Sequence, residues 1–182
     1  MTVDWESEVR SPERLAALER SGLVGIGPDD PFDRLIELAV ELIGCSCGVI
    51  ALVDDECTTA MSAVGFPEGL ALVAPIDQSF CRLVIGTGRP FVVADANADP
   101  RTTGDPAIKA FAAVSWAGYP LVDGDGAVLG TFCVMDSDPH EWTSTDLHVL
   151  ATLAMAASTE IALRRAQAEL ATLRGGDDGG GR

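Results

Sequence analysis

The sequence has few positive charges, few aromatic residues and no long apolar run. It contains 12 lysine and arginine residues against 28 acidic residues, so the formal charge is −16 over 182 residues. Phosphate backbones and anionic lipid surfaces repel such a chain, and we expect no nucleic-acid or membrane partner. The longest uncharged runs, Ala110–Val122 and Leu147–Thr159, are shorter than the ~20 apolar residues of a membrane span. Because Met1–Arg14 also lacks the apolar core of a secretory signal, we expect a cytoplasmic protein.

The cysteines indicate reduced thiols rather than a disulfide framework or a zinc site. The chain has five cysteines without a C-x-x-C pair: Cys45, Cys47, Cys57, Cys81 and Cys133. An odd number in a chain without an export signal is typical of free thiols. Two acidic groups, Asp54–Glu56 and Asp123 with Asp125, lie in predicted hairpin turns, where aspartate binds backbone N–H groups. We therefore expect no metal site.

Apolar periodicity predicts a single α+β domain with a largely antiparallel sheet, because adjacent strands are joined by tight turns. Helices are predicted after Ser11, over Pro31–Ile43, Phe80–Ile85 and Pro106–Ala112, and from a Thr143–Asp146 capping box to at least Arg165. Strands are predicted over Cys47–Val53, Cys57–Val64, Phe91–Val93, Ser115–Val122 and Ala127–Met135. Residues 1–10 are expected to be disordered, residues 11–174 to form the domain, and residues 175–182 to be a flexible tail or linker.

Several stretches, in this order, together resemble a GAF domain, the sensor module of bacterial signalling proteins. They are Glu13–Leu18, Phe32–Leu35, Val49–Asp55, Ser79–Cys81, Thr87–Val93, Asp95, Ala98–Arg101, Tyr119–Leu121 and Leu129–Asp136. The resemblance implies a PAS-related fold, with a six-stranded antiparallel sheet, terminal helices on one face and a ligand pocket on the other. It also implies a sensory role, with a small-molecule ligand and an output kinase, cyclase or phosphatase.

The resemblance also indicates which residues border the pocket. The candidates are Phe80, Cys81, Asp95, Arg101, Ile108, Phe111, Trp116, Tyr119, Cys133 and Met135. Trp116 and Tyr119 are three residues apart on one strand, so they should point to opposite faces and only one should line the pocket. Alternation places Cys133 with Thr131 and Met135. Arg101 is the best available anchor for an anionic ligand.

Three function hypotheses remain open. The first is a non-catalytic sensory domain that binds a small molecule or relays a signal through its terminal helices. The second is a cysteine-dependent enzyme, because the position of Cys81 resembles a cysteine of the free methionine-(R)-sulfoxide reductases. Such chemistry needs a resolving thiol, and no cysteine occurs between Arg82 and Phe132. The third is a ligand-free dimerisation or interaction module whose pocket is filled by its own aromatic rings.

No cofactor is expected. His140 and His148, the only histidines, belong to the segment of the last helix, away from the pocket in this topology, so haem ligation is not expected. The Cys-His pair that bilin-binding relatives carry in the short helix is missing from Asp105–Ala112. A homodimer through the terminal helices is expected. Part of the apolar seam of the last helix must cover the sheet, and the small residues Ala151, Ala156 and Ser158 would let a second helix approach closely. The seam residues are Leu147, Leu150, Ala154, Ala157 and Ile161.

Overall fold

The computed structural model describes residues 5–23, 30–67 and 73–176, which form one sheet with helices on both faces. The helices are α1 (Trp5–Val9), α2 (Pro12–Arg20), α3 (Asp30–Ile43), α4 (Cys81–Thr87), α5 (Pro106–Phe111) and α6 (Ser144–Gly176). The strands are β1 (Cys47–Val53), β2 (Cys57–Val64), β3 (Val73–Pro75), β4 (Phe91–Val93), β5 (Ser115–Val122) and β6 (Val128–Asp136). A short 3-10 turn covers Ile76–Gln78.

The sheet has the strand order β3-β2-β1-β6-β5-β4, and every neighbouring pair is antiparallel. The central pair is β1 with β6, where Ile50 lies opposite Phe132. The two strands approach closely at Gly130, whose Cβ, if it had one, would lie 1.9 Å from the carbonyl oxygen of Ala51. The predicted α+β class and the six-stranded antiparallel sheet are therefore confirmed.

Two apolar cores lie on opposite faces of the sheet, because successive strand residues point in opposite directions. On β6, Phe132 and Val134 belong to the core beneath α2, α3 and α6, whereas Cys133 and Met135 belong to the core beneath α1, α4 and α5. The Thr143–Asp146 capping box forms as predicted, with reciprocal bonds of 2.8 and 3.2 Å.

The predicted disorder of residues 1–10 is wrong for Trp5–Val9, which forms helix α1; residues 1–4 lie outside the described residues. Trp5 and Val9 are four residues apart and so share a helical face, which packs on α4. Val9 is fully buried there. At the other end, α6 continues to Gly176, so residues 175 and 176 are helical, and the rest of the predicted tail lies outside the described residues.

The seam of α6 is covered by its own chain. Leu150, Ala154, Ala157 and Ile161 are at most 3% exposed, because α6 packs on α3, β5 and β6. This part of the seam therefore covers the sheet, as expected, and the homodimer through the terminal helices stays a prediction.

By length and composition, Ser144–Leu173 of α6 could cross a membrane, although a third of its most apolar window is buried within the protein. The buried core helix of a protein outside the membrane can have the same length and composition. Isolated charges interrupt an uncharged run in the sequence without ending the helix.

Candidate functional site

A small cavity lies between the sheet and helices α4 and α5. Six predicted pocket residues line it: Phe80, Cys81, Phe111, Trp116, Cys133 and Met135. Side chains of β1, β2 and α5, with Ser79 and Ala113, complete the wall. Its volume is about 40 Å³, which is room for a water-sized molecule or one of a few heavy atoms. Sites for drug-sized ligands have volumes of roughly 300–1,000 Å³.

Aromatic rings limit the size of the cavity. Phe80, Phe91 and Trp116 form a triangle with ring centroids 5.9 to 6.2 Å apart. The Trp116 ring lies over Gly118, where a side chain would collide with it. Aromatic pairs at these separations attract one another beyond the gain from burial. The rings therefore occupy space that a ligand would otherwise fill.

Two thiols and a hydroxyl meet at the wall of this cavity. Cys81, the first residue of α4, has its sulfur 3.0 Å from Thr131 Oγ1, and either atom can donate. The same hydroxyl lies 3.9 Å from the Cys133 sulfur, and Cys133 donates to the Val49 carbonyl at 3.5 Å. All three side chains are buried. The alternation predicted for β6 thus places Cys133 on the same face as Thr131, near Cys81, which is 52 residues earlier in the sequence.

The two thiols have pKa values shifted in opposite directions. The neighbouring Cys133 thiol, together with the Ser79 and Thr131 side chains, lowers the pKa of Cys81 to about 7 despite its burial. The Cys81 thiolate in turn holds the proton on Cys133, and burial adds to this effect, so the pKa of Cys133 is well above its ordinary value. The pair therefore places a thiol whose ionisation is favoured beside a thiol whose ionisation is disfavoured.

Thr58 adds an unusual feature to the cavity wall. Its side chain is buried, and among the described residues its hydroxyl has no hydrogen-bond partner. A buried polar group without a partner costs about 1–3 kcal/mol, so such groups usually bind a partner or ordered water. The Thr58 hydroxyl is thus available to a molecule in the cavity. Thr58 was not predicted as a site residue, because alternation alone does not distinguish a paired from an unpaired threonine.

A buried ion pair holds the cavity-side helices in place. Arg82 on α4 donates to the Ser79 carbonyl at 2.6 Å and forms a salt bridge with Asp105. Asp105 also caps α5 by accepting the backbone N–H of Ala107 at 2.9 Å. Its capping role follows from the sequence, but Arg82 was missed. The available signal was a single charge within an otherwise apolar helix.

Four predicted pocket residues do not line the cavity: Asp95, Arg101, Ile108 and Tyr119. Arg101 pairs with Asp99 at 2.6 Å and donates to the Val92 carbonyl at 2.8 Å, so local contacts occupy its guanidinium. Asp95 accepts the Asn97 N–H at 3.0 Å and shapes its own loop. Ile108 packs beside the cavity-side core. Tyr119 packs on the other face of the sheet from Trp116, against the core beneath α2, α3 and α6, as their spacing predicts.

The acidic turns bind their own backbone. Asp54 accepts the N–H of Glu56 at 2.8 Å, and Asp123 accepts the N–H groups of Asp125 and Ala127 at 2.9 Å. These are the local bonds expected from the turn sequences.

Comparisons with known proteins agree with this architecture. A family model described as GAF domain matches residues 26–162. A cyclic di-GMP phosphodiesterase of Pseudomonas aeruginosa is 28% identical over 127 residues, which cover 69% of this chain. The chain spans only 21% of that relative's length.

Solved structures share the fold. The blue-light absorbing form of the PixJ GAF domain from Thermosynechococcus elongatus has a TM-score of 0.65 at 16% identity, covering 90% of this chain and 96% of that one. The free methionine-R-sulfoxide reductase of Neisseria meningitidis, solved with its substrate, has a TM-score of 0.58 at 19% identity, covering 82% and 87%. At these identities the likeness concerns the fold alone.

Proposed function

Because the chain belongs to the GAF domain family, we propose that it is a sensory domain in which a change at the cavity alters helix α6 across the sheet. The side-chain alternation of β6 carries this proposal. Cys133 lines the cavity, while Phe132 and Val134 are buried in the core that α6 covers. Since protein interiors are close-packed and transmit strain, a displacement of β6 at the cavity moves the residues on which α6 packs.

The input is a molecule of few heavy atoms or a chemical change in the wall of the cavity. The volume of about 40 Å³ supports this, as does the ring triangle that leaves no room for more. The groups that shift the pKa of Cys81 are hydroxyls, a second thiol and backbone, without a histidine or carboxylate among them. A sensory role without catalysis is therefore the better supported reading of this site.

The sensory proposal is tested with xenon, an atom that binds apolar cavities in proteins. Backbone amide shifts are recorded by NMR under increasing xenon pressure. We expect shifts at cavity residues and, with the same pressure dependence, at Leu150–Ile161 of α6. Shifts confined to the cavity side of the sheet would refute coupling to α6.

A matched pair of substitutions on α5 provides the control. Ala107 lines the cavity and is buried, whereas Ala110 on the same helix is exposed. Ala107→Val should fill the cavity and abolish the xenon response. Ala110→Val carries the same cost in helix propensity and should leave the response unchanged.

The output belongs to a partner enzyme rather than to this domain, and a second copy of the chain is the proposed direct partner. Leucines at 51 to 73% exposure lie on the face of α6 opposite its core: Leu163, Leu170 and Leu173. With Ala166 they follow a 3-4-3 spacing, which is the seam of a two-stranded coiled coil. The relative's name suggests a cyclic-dinucleotide phosphodiesterase as the type of output enzyme.

A second candidate function is a ligand-free interaction module. The ring triangle favours it, because the domain's own side chains fill most of the pocket. In that case xenon causes no shifts in α6, while the dimer still forms.

A methionine-sulfoxide reductase has weaker support. The shared fold and the position of Cys81 favour it, but a cavity of this volume does not admit methionine sulfoxide. A coupled NADPH assay with free methionine sulfoxide should show no turnover, and turnover that depends on Cys81 would establish the enzyme.

A further inference from the structure

Three features converge on the cavity, and neither the fold nor the family match explains them together. Cys81 and Cys133 share a hydrogen-bond network through Thr131. The unpartnered hydroxyl of Thr58 lines the same cavity. The volume suits a molecule of two or three heavy atoms. The two cysteines are a reactive pair, the Thr58 hydroxyl can bind an occupant, and the volume limits the size of that occupant.

The occupant must be small and able to form hydrogen bonds. An apolar occupant would leave the Thr58 hydroxyl without a partner, and a large one would collide with Phe80 or Trp116. Water meets both conditions, and so does hydrogen peroxide, which can both donate and accept hydrogen bonds. Only the peroxide reacts with a thiolate.

We propose that the cavity is a peroxide-responsive site at which Cys81 and Cys133 are oxidised to an intramolecular disulfide. The disulfide is the chemical event that the proposed sensory function would relay, so the signalling part of this inference rests on that function. The site itself stands on the thiol pair, the cavity and Thr58.

The chemistry balances with one peroxide molecule. The Cys81 thiolate attacks one peroxide oxygen, the O–O bond breaks and a sulfenic acid forms. The departing hydroxide takes up the proton that Cys81 released and leaves as water. The Cys133 thiol then attacks the Cys81 sulfur, the S–O bond breaks, the S–S bond forms and a second water leaves. The two thiols lose two electrons and two protons, and the peroxide gains them.

The remaining cysteines serve as internal controls. Cys45 has a pKa raised to about 12 by burial and by Asp136, and burial also raises the pKa of Cys47. Cys57 lies on β2, where burial and nearby carboxylates raise its thiol pKa. Thiols with raised pKa values react slowly with peroxide because the thiolate is the nucleophile. Hydrogen peroxide should therefore oxidise Cys81 and Cys133 in preference to the other three cysteines.

The test treats the reduced, purified chain with equimolar hydrogen peroxide and then blocks free thiols with N-ethylmaleimide in denaturing buffer, so that buried thiols also react. We expect three of the five cysteines to be alkylated and non-reducing peptide mapping to link Cys81 to Cys133. Cys133→Ala should stop at a Cys81 sulfenic acid that dimedone traps, and Cys57→Ala should behave as the wild type. Five alkylated cysteines, or a disulfide between other residues, would overturn the proposal.

Thr58→Val tests the cavity without touching a thiol. It should slow disulfide formation at least several-fold, and Thr59→Val, the same change at an exposed neighbour, should not. Circular dichroism confirms that each variant is folded. Equal rates in both variants would show that the peroxide does not enter through a site bounded by Thr58, and would refute this part of the proposal.

Failure of this inference is distinguishable from failure of the sensory function. A disulfide that forms without changing amide hydrogen exchange in α6 leaves the oxidation site intact and refutes its signalling role. A xenon response in α6 without a disulfide leaves the sensory function intact and refutes the peroxide site.

Discussion

The Trp116 ring covers Gly118 on the same face of β5, so closely that a Cβ at Gly118 would lie 2.2 Å from Trp116 Cη2. The absence of a side chain at position 118 therefore determines where the indole lies. The indole in turn contacts Phe80 and Phe91 and limits the cavity. One glycine thus sets the size of the site.

Gly118→Ala is expected to displace the Trp116 ring and to lower the free energy of unfolding by about 1–3 kcal/mol, the usual cost of overpacking. Urea denaturation measures this change. Gly124→Ala is the control, because its Cβ would lie 3.8 Å from Ala162 and change stability little. Equal stability of the two variants would show that the ring is free to move.

Removal of one partner of the Arg82–Asp105 pair is expected to destabilise the protein strongly, whereas replacement of both partners is expected to change its stability little. Both side chains are at most 10% exposed, so Asp105→Asn leaves a buried arginine without its charge partner. We expect this variant to lose about 3–5 kcal/mol, although asparagine can still cap α5. The double variant with Arg82→Met should recover most of the loss. Additive losses in this double-mutant cycle, measured in urea, would contradict a direct pair.

Thr58→Val is expected to stabilise the protein. It removes a buried hydroxyl without a partner and keeps the shape of the side chain, so the free energy of unfolding should rise by about 1 kcal/mol. Thr59→Val, at an exposed position of the same strand, should change stability by less than about 0.5 kcal/mol. Calorimetry of the two variants decides this, and destabilisation by Thr58→Val would indicate a bound water that the hydroxyl holds.

The two buried thiols are expected to shape the dependence of stability on pH. The pKa of Cys81 falls from 9.0 to about 7 on folding, so its contribution to stability is present above pH 9 and is lost as the pH falls through 7. Cys133 and Cys45 have raised pKa values, so their contributions are present below pH 9 and are lost at higher pH.

Stability should therefore rise between pH 7 and pH 9 and fall above pH 9. Cys81→Ser should flatten the rise, and Cys45→Ala should reduce the fall. Urea denaturation across this range measures both effects. A rise that persists in Cys81→Ser would assign it to another group.

The proposed dimer is expected to depend on the exposed face of α6. Leu170→Glu places a charge in the coiled-coil seam and should convert a dimer into a monomer of 19.0 kDa in sedimentation equilibrium. Ala171→Glu, which adds the same charge beside the seam, should remain dimeric. A wild-type monomer at micromolar concentration would refute the dimer.

Features that depend on neighbours along the chain could be predicted from the amino-acid sequence. The period of apolar residues predicted most elements, and the Thr143–Asp146 capping box marked the start of α6. Period-two alternation placed Trp116 and Tyr119 on opposite faces and Cys133 on the face of Thr131. Each of these follows from backbone geometry over a few residues, which is the same wherever the segment lies.

Contacts between segments far apart in sequence emerge only in the folded chain. Cys81 reaches Thr131 because α4 packs on β6, and Arg82 finds Asp105 because α4 and α5 share one face. Arg101 was expected at the pocket, but its guanidinium lies over the Phe91 ring and forms a salt bridge with Asp99 instead. Such contacts depend on distances between segments far apart in sequence, which periodicity does not encode. The volume of the cavity likewise results from packing all its walls at once.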